Sequence, residues 1–278
     1  RTSNDYNFLG NGRKPYYILN ILSKQSIPEG GEDGSAGFLF FETADGYHFK
    51  SIDKLFDKPQ KKSYIFNNST DSQVTPPGYD GKILEQQSDS SVNVQSKMNI
   101  GAYKTKLVLF DPFNCEYVVE EKTADEAVQK NKVKLAGKKL PKFNNKFDTP
   151  NKDFTRTTFM LIDSGTLPAG STDEQIKENQ RDNFKAAQTL NQAIRRYNQL
   201  FSGMMEITIA GDFSLHAGDV IFVDIPAIDS EKSDTLNRES GGLYIIADLC
   251  HFVNADGTYT KLNLARDSFG RKGNHSKR

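Results

Sequence analysis

At Gly203 the apolar pattern of this chain changes period. Upstream, Ile176, Ala187, Leu190, Ile194, Tyr197 and Phe201 recur at spacings that keep them on one face of a helix, and the residues between them are largely polar or charged. Downstream, Met205, Ile207 and Ile209 alternate with Glu206 and Thr208, the two-residue period of a strand with one buried face. A long amphipathic helix followed directly by alternating strands needs an apolar surface beneath the helix, supplied by its own sheet or by a neighbouring subunit. The pattern predicts an α+β fold, mainly antiparallel β. Ser171-Thr-Asp-Glu174 has capping-box spacing and opens the predicted helix, which spans roughly 173–202 and stops at Gly203. Strands are predicted at 205–210, 219–225, 243–252 and 258–264. Turns at Gly211-Asp212, Ala217-Gly218-Asp219 and Asp256-Gly257 separate them into an antiparallel meander. The stretch 243–252 is apolar on both faces except at Asp248 and His251, as a central strand would be.

The first half is less regular. Pro15 opens a helix carrying Tyr17, Ile18, Ile21 and Leu22. A glycine-rich loop at 30–37 leads to a predicted hairpin, 38–41 and 47–52. Its Asp45-Gly46 turn reads as type I′, in which both central residues take positive φ. A helical turn at 53–56 follows. Residues 57–103 read as irregular apart from a strand at 64–66, with Pro76-Pro77-Gly78 as a breaker. Two strands, 104–110 and 116–121, flank Asp111-Pro112. Thr123-Ala-Asp-Glu126 should open a short helix, and the lysine-rich stretch 130–152 reads as a solvated loop or, alternatively, a basic arm.

Composition removes several classes of function. The 278 residues suit one large domain or two ordinary ones. With 36 basic and 36 acidic residues the formal charge is zero, which argues against DNA binding as the main task. No apolar run approaches the roughly 18 residues of a membrane-spanning helix. Cys115 and Cys250 are too few for a disulfide framework and read as reduced core residues.

Chemistry-bearing patterns are sparse. His48, His216, His251 and His275 include no His-x-x-x-His pair, and there is no Cys-x-x-Cys. His251 reads as a hydrogen-bonded core or interface residue, and His48 as a polar residue just past a turn. No nucleophile elbow or phosphate loop occurs, and Gly30, Gly31, Gly34 and Gly37 lack the spacing for one. Two acid pairs could serve glycoside cleavage: Glu42 with Asp45 beside the hairpin turn, and Asp219 with Asp224 on opposite faces of one strand. In a chain with 36 acids, surface charge explains such pairs better. No catalytic, cofactor-binding or metal-binding residue is expected. The basic segment Arg266–Arg278 reads as a solvated tail.

Two sets of segments carry a family resemblance. Gly211-Asp-Phe-Ser-Leu-His-Ala-Gly-Asp-Val-Ile-Phe-Val-Asp-Ile-Pro226, Gly241-Gly-Leu-Tyr-Ile-Ile-Ala-Asp-Leu-Cys-His-Phe252 and Tyr259-Thr-Lys-Leu-Asn-Leu-Ala-Arg266-Asp-Ser-Phe-Gly270 resemble the end of a baseplate hub protein of T-even-type contractile-tailed bacteriophages. The same order recurs more loosely in phage late-control and type VI secretion spike proteins. Ala36-Gly-Phe-Leu-Phe-Phe-Glu-Thr-Ala-Asp-Gly-Tyr-His-Phe-Lys-Ser-Ile-Asp53 is a second likeness to the same hub type.

The resemblance implies a structural protein of the virion tail baseplate, assembled in the host cytoplasm and not an enzyme. It implies two tube-type β-barrel domains and a homotrimeric ring with near-sixfold character. The ring would join a tail-tube or tube-initiator protein to a spike or tail-lysozyme protein, among the surrounding baseplate wedge proteins. DNA would pass through without specific binding. The resemblance further implies that, relative to the family, the chain starts late, without the upstream part of the first tube domain. The implied units are 1–60, a helix and hairpin insertion; 61–135, the remainder of a first tube domain; and 136–278, a second tube domain with the long helix 173–202. The alternatives are a tube initiator, a tail-associated cell-wall-cleaving enzyme or a host-surface binding module. A conduit that grips DNA would slow its passage, because Lys and Arg contacts to phosphate supply most of the affinity. Its wall is therefore expected to be acidic or neutral, with the lysines of 130–152 and Arg271, Lys272, Lys277 and Arg278 away from the lumen.

Overall fold

A computed structural model describes residues 1–2, 10, 12–29, 36–66, 75–89, 94–112, 115–123, 156–161, 170–171, 173–174, 186–201, 203–225, 240–255 and 257–266. The elements in chain order are α1 (Pro15–Gln25), β1 (Phe38–Thr43), β2 (Gly46–Ser51), α2 (Ile52–Phe56), β3 (Lys62–Ile65), β4 (Gly81–Asp89), α3 (Val94–Asn99), β5 (Lys104–Asp111), β6 (Glu116–Thr123), β7 (Arg156–Leu161), α4 (Ala186–Gln199), β8 (Gly203–Ala210), β9 (Val220–Asp224), β10 (Gly242–Asn254) and β11 (Gly257–Arg266). The fold is α+β and mainly antiparallel. Its centre is a closed six-stranded barrel in the order β10-β11-β8-β4-β3-β9.

The alternation after Gly203 builds the barrel. Met205, Ile207, Ile209, Leu262 and Leu264 point inward and pack with Tyr64, Ile83, Ile221, Val223, Tyr244 and Ile246. The four C-terminal strands are not a simple meander. β9, β10 and β11 follow one another, but β8 pairs with β11 and not with β9, which gives a Greek-key order. β3 and β4 close the barrel. β3 lies parallel to both β9 and β4, and β4 is antiparallel to β8. Both come from the stretch that reads in sequence as mostly irregular, whose pattern predicts neither β4 nor α3.

A second sheet, β6-β5-β7, pairs β5 antiparallel with β6 and parallel with β7. One of its faces is covered by α4, whose Leu190 and Ile194 pack on Leu107, Leu109 and Met160. Asn191 of α4 donates from Nδ2 to the Glu120 carbonyl at 3.0 Å and accepts from the Thr105 hydroxyl. The third unit is the β1–β2 hairpin. Its Leu39 and Phe41 join Ile52, Leu55 and Phe56 of α2 against Leu200, Val220 and Ile245, so the hairpin is bonded to the outer wall of the barrel. Tyr197 of α4 donates its hydroxyl to the Phe38 carbonyl.

Local chemistry departs from the sequence reading at several points. Thr43 pairs with Gly46, so the hairpin turn is centred on Ala44-Asp45, not Asp45-Gly46; neither central residue has positive φ, and only Gly46 does, at 119°. The capping box at Ser171 is formed in both directions: the Ser171 backbone N–H and hydroxyl reach Glu174 Oε2 at 3.1 and 2.9 Å, and the Glu174 N–H donates to Ser171 Oγ at 3.4 Å. α4 ends at Gln199, with Phe201 rather than Gly203 in the left-handed region (φ 67°); Gly203 is already in β8. Cys115 and Cys250 are free and exposed, not core residues. The expected helix after Thr123, the lysines of 130–152, residues 175–185 of the predicted long helix and the tail after Arg266 lie outside the described residues.

Candidate functional site

The strands of the barrel differ in length, and this creates its most distinctive surface. β3 has four residues and β9 five, whereas β10 has thirteen and β11 ten. β9 meets β10 only over Gly242–Ile245, and β3 meets β4 only at Gly81 and Lys82. Beyond those points the sheet β10-β11-β8-β4 continues as four strands. Among the described residues its two outer edges, 248–254 of β10 and 83–89 of β4, have no strand beside them.

The faces of this sheet follow from its register. One row runs Leu249, Leu262, Ile207, Gln86 and faces the barrel interior. On the opposite face lie the rows Asp248, Asn263, Glu206, Gln87 and Cys250, Lys261, Thr208, Glu85. Asn263 Nδ2 donates to Asp248 Oδ1 at 2.6 Å, and Lys261 Nζ lies 2.8 Å from Glu206 Oε1. These two rows hold three carboxylates and one ammonium. The hydrogen bond from Lys261 to Glu206 holds the lysine above its ordinary pKa, so that charge stays paired.

Two carboxylates lock the turns that lead into the barrel strands. Asp219 accepts from Lys61 Nζ at 2.6 Å, from Lys58 Nζ at 3.4 Å and from the His216 N–H at 3.0 Å. Burial pushes its carboxyl up, but the bonds from Lys61 and His216 and the charges of Lys61 and Lys58 outweigh this and hold it below the carboxylate range. Lys58, pushed down mainly by burial and then by the charge of Lys50, also donates to the Gly218 carbonyl at 2.6 Å. Asp212 accepts from Lys62, from the Tyr64 hydroxyl at 3.0 Å and from Ser214 Oγ at 2.7 Å and N at 3.0 Å. Here too burial opposes the charge, and the Lys62, Ser214 and Tyr64 hydrogen bonds prevail, so the carboxyl sits well below its usual range.

A pH prediction follows for Asp212. Its folded pKa is depressed, so its contribution is present above the ordinary carboxylate range and lost as pH falls through and below about 4. In urea melts the native chain should exceed Asp212→Asn in stability at about pH 6, and the gap should start to narrow below about pH 4 while remaining open at about pH 3, because it is lost fully only below the depressed folded pKa. A gap independent of pH would contradict this.

The residues singled out from sequence fall into these networks. His251 Nδ1 lies 2.9 Å from Thr260 Oγ1, which accepts from the Asp212 N–H at 2.9 Å, while the Phe213 ring lies against the imidazole with centroids 4.6 Å apart. His48 bonds Thr43 Oγ1 at 2.8 Å. His275 lies outside the described residues. The acids of the two candidate pairs have other neighbours: Asp219 is held by lysines, Asp224 accepts from the Tyr79 hydroxyl, and Glu42 lies opposite Tyr47 in the hairpin. The structure brings Asp45 and Asp219 together instead, on either side of His216, at 3.7 and 4.0 Å from its ring nitrogens. A glycosidase acid needs a carboxyl with a raised pKa, and Asp219 is shifted the other way. Sequence reasoning missed Lys58, Lys61 and Lys62 altogether; they stand roughly 150 positions from their carboxylate partners, and no local pattern marks them.

No family model matches the chain. Over 262 residues it is 21% identical to a probable baseplate hub protein of Vibrio phage KVP40, an alignment covering 92% of this chain and 58% of that protein. The chain thus spans less than two thirds of the length of this curated relative. Among solved structures, a tail protein from Neisseria meningitidis aligns over 95% of this chain and 57% of its own, at 12% identity and a TM-score of 0.46. The 43 kDa tail protein of prophage MuSo2 from Shewanella oneidensis aligns over 92% and 53%, at 12% identity and a TM-score of 0.42.

Proposed function

We propose that this chain is a structural hub component of a phage tail baseplate. Three copies form a ring that joins a tail-tube or tube-initiator protein to a central spike or tail-lysozyme protein, inside the wedge proteins, and the ring lines part of the DNA conduit without catalysing a reaction. The observation that carries this reading is the four-stranded sheet whose two outer edges have no strand beside them among the described residues. Successive strands in β10-β11-β8-β4 are antiparallel, so β10 and β4 run in opposite directions. The β4 edge of one copy laid beside the β10 edge of the next continues the alternation. Such a contact joins two different patches, and when its rotation closes it generates a ring. Long unpaired edges are a liability to a solitary chain, which supports their being paired in the assembly.

The polar face of the same sheet supports the conduit. Asp248, Glu206 and Glu85 outnumber Lys261 on its two central rows, a surface that repels phosphate. The similarity to a probable baseplate hub protein over 92% of the chain points the same way. On this reading 1–60 is an inserted helix and hairpin, 61–135 belongs to a first tube unit and 136–278 to a second, with β3 and β4 contributed across that boundary to the barrel of β8–β11.

Native mass spectrometry and electron microscopy of the purified chain, alone and with spike protein, test the proposal. The expected result is three copies in a closed ring that leaves duplex DNA unretarded at physiological salt. A chain that stays single under both conditions, or a ring that retards DNA, would overturn it. Clearing of peptidoglycan in a zymogram would favour the cell-wall-cleaving alternative.

A further inference from the structure

The face of the β6-β5-β7 sheet turned away from α4 is divided along the strands. Near the β5–β6 turn it presents two uncharged rows: Tyr117, Phe110, Leu161, then Val119, Val108, Phe159. The next positions are charged or polar: Glu121, Lys106 and Thr157, with Lys104 beyond, and Glu121 lies 3.2 Å from both lysine ammonium groups. Phe159 is 77% exposed, Tyr117 69% and Leu161 68%. An aromatic side chain can bury roughly 150–250 Å², so this half-face offers on the order of 500 Å² of apolar surface, more than half of the ~800 Å² that one partner contributes to a standard interface. Among the described residues nothing packs on it, although α4 packs on Leu107, Leu109 and Met160 of the other face.

We propose that this half-face binds the same half-face of a second copy of the chain, in a two-fold, sheet-on-sheet contact separate from the edge pairing of the ring. The charge division selects the geometry. With the strands of the two sheets parallel, Lys104 and Lys106 of one copy would meet the same lysines of the other. With the two-fold axis across the strands, each lysine row is carried outside the contact. The row Tyr117, Phe110, Leu161 then faces the row Val119, Val108, Phe159 of the second copy. Two large rings meet two small β-branched side chains, which is the interdigitation a packed interior needs. Leu161 faces the second copy's Phe159.

The contact predicts charge complementation between two variants. Phe159→Glu and Leu161→Lys lie on an exposed edge-strand face, so circular dichroism and melting should show both chains folded. Sedimentation velocity should show each alone losing the two-fold association, by at least about a hundredfold in dissociation constant, because the buried charge meets an apolar side chain twice. An equimolar mixture should regain it, since the carboxylate introduced in one chain then faces the ammonium introduced in the other, while the second pair stays Leu161 with Phe159. If the native chain sediments as Phe159→Glu does, or if the mixture fails to reassociate, a second copy does not cover this face and the proposal falls. Ring formation is read separately from multiples of three copies, which these variants leave intact, so the two readings fail independently.

Discussion

Gly211→Ala will cost about 3 kcal/mol of stability, the upper part of the usual range for forcing an atom into a packed site. Gly211 follows β8 and donates its N–H to the Thr258 carbonyl at 2.8 Å, which draws the two backbones together. A Cβ there would overlap Thr258 Cγ2 and stand 2.8 Å from its Cβ and 3.1 Å from its carbonyl oxygen. Rotating the threonine relieves only the first contact. Thr258→Ser, which also removes only Cγ2, should therefore rescue little. Thr258→Gly leaves the 3.1 Å contact alone and should recover more than half of the loss. Urea unfolding of the two single variants and the Gly211→Ala/Thr258→Gly pair checks this, and a Gly211→Ala chain within about 0.5 kcal/mol of native would refute the close approach.

Asp53→Ala should be the other large loss, about 3 kcal/mol. Asp53 Oδ1 accepts from Arg196 Nη1 at 2.7 Å, and the Arg196 side chain is only 3% exposed. The pair ties α2, at the foot of the hairpin, to the C-terminal half of α4. Removing the carboxylate leaves a guanidinium buried without its counter-charge, whereas removing both charges does not. The Asp53→Ala/Arg196→Met double variant should accordingly be more stable than the sum of the single losses by at least about 1 kcal/mol. Strict additivity would show that the ion pair is not what holds these elements together.

How far these features could be read in advance depended on how local their cause is. The switch of period at Gly203 is local, and all four strands after it are present within a few residues of their predicted bounds. The Ser171–Glu174 cap is local too. β4 was missed because Gly81–Asp89 puts polar Gln86 and Ser88 on the inward side, a pattern an edge strand tolerates and a central strand would not. The pairing of β8 with β11, and of β3 with β9, depends on closure of the whole barrel and leaves no mark in either strand. The same holds for the candidate site: the sheet's inward alternation was legible, but its edges, unpaired among the described residues, arise because β3 and β9 are short. Cys250 was misread because β10 is buried on both faces only in its first half and emerges after Ile246.

The barrel is assembled from two separated stretches of chain, 62–89 and 203–266. During synthesis β3 and β4 leave the ribosome well before β8 and β9 exist. At about 5–20 residues per second the delay is on the order of ten seconds, far longer than a hairpin needs to form. Throughout that interval Tyr64 and Ile83 have no wall to pack against, and β4 offers a strand without β8, the neighbour it pairs with over most of its length. The β1–β2 hairpin and the β5–β6 pair, each complete within its own stretch, can form at once; the barrel must wait for β8 to β11. Nascent chains stalled before β8 should therefore be protease-sensitive at 62–89, a vulnerability that ends in one step when β11 emerges.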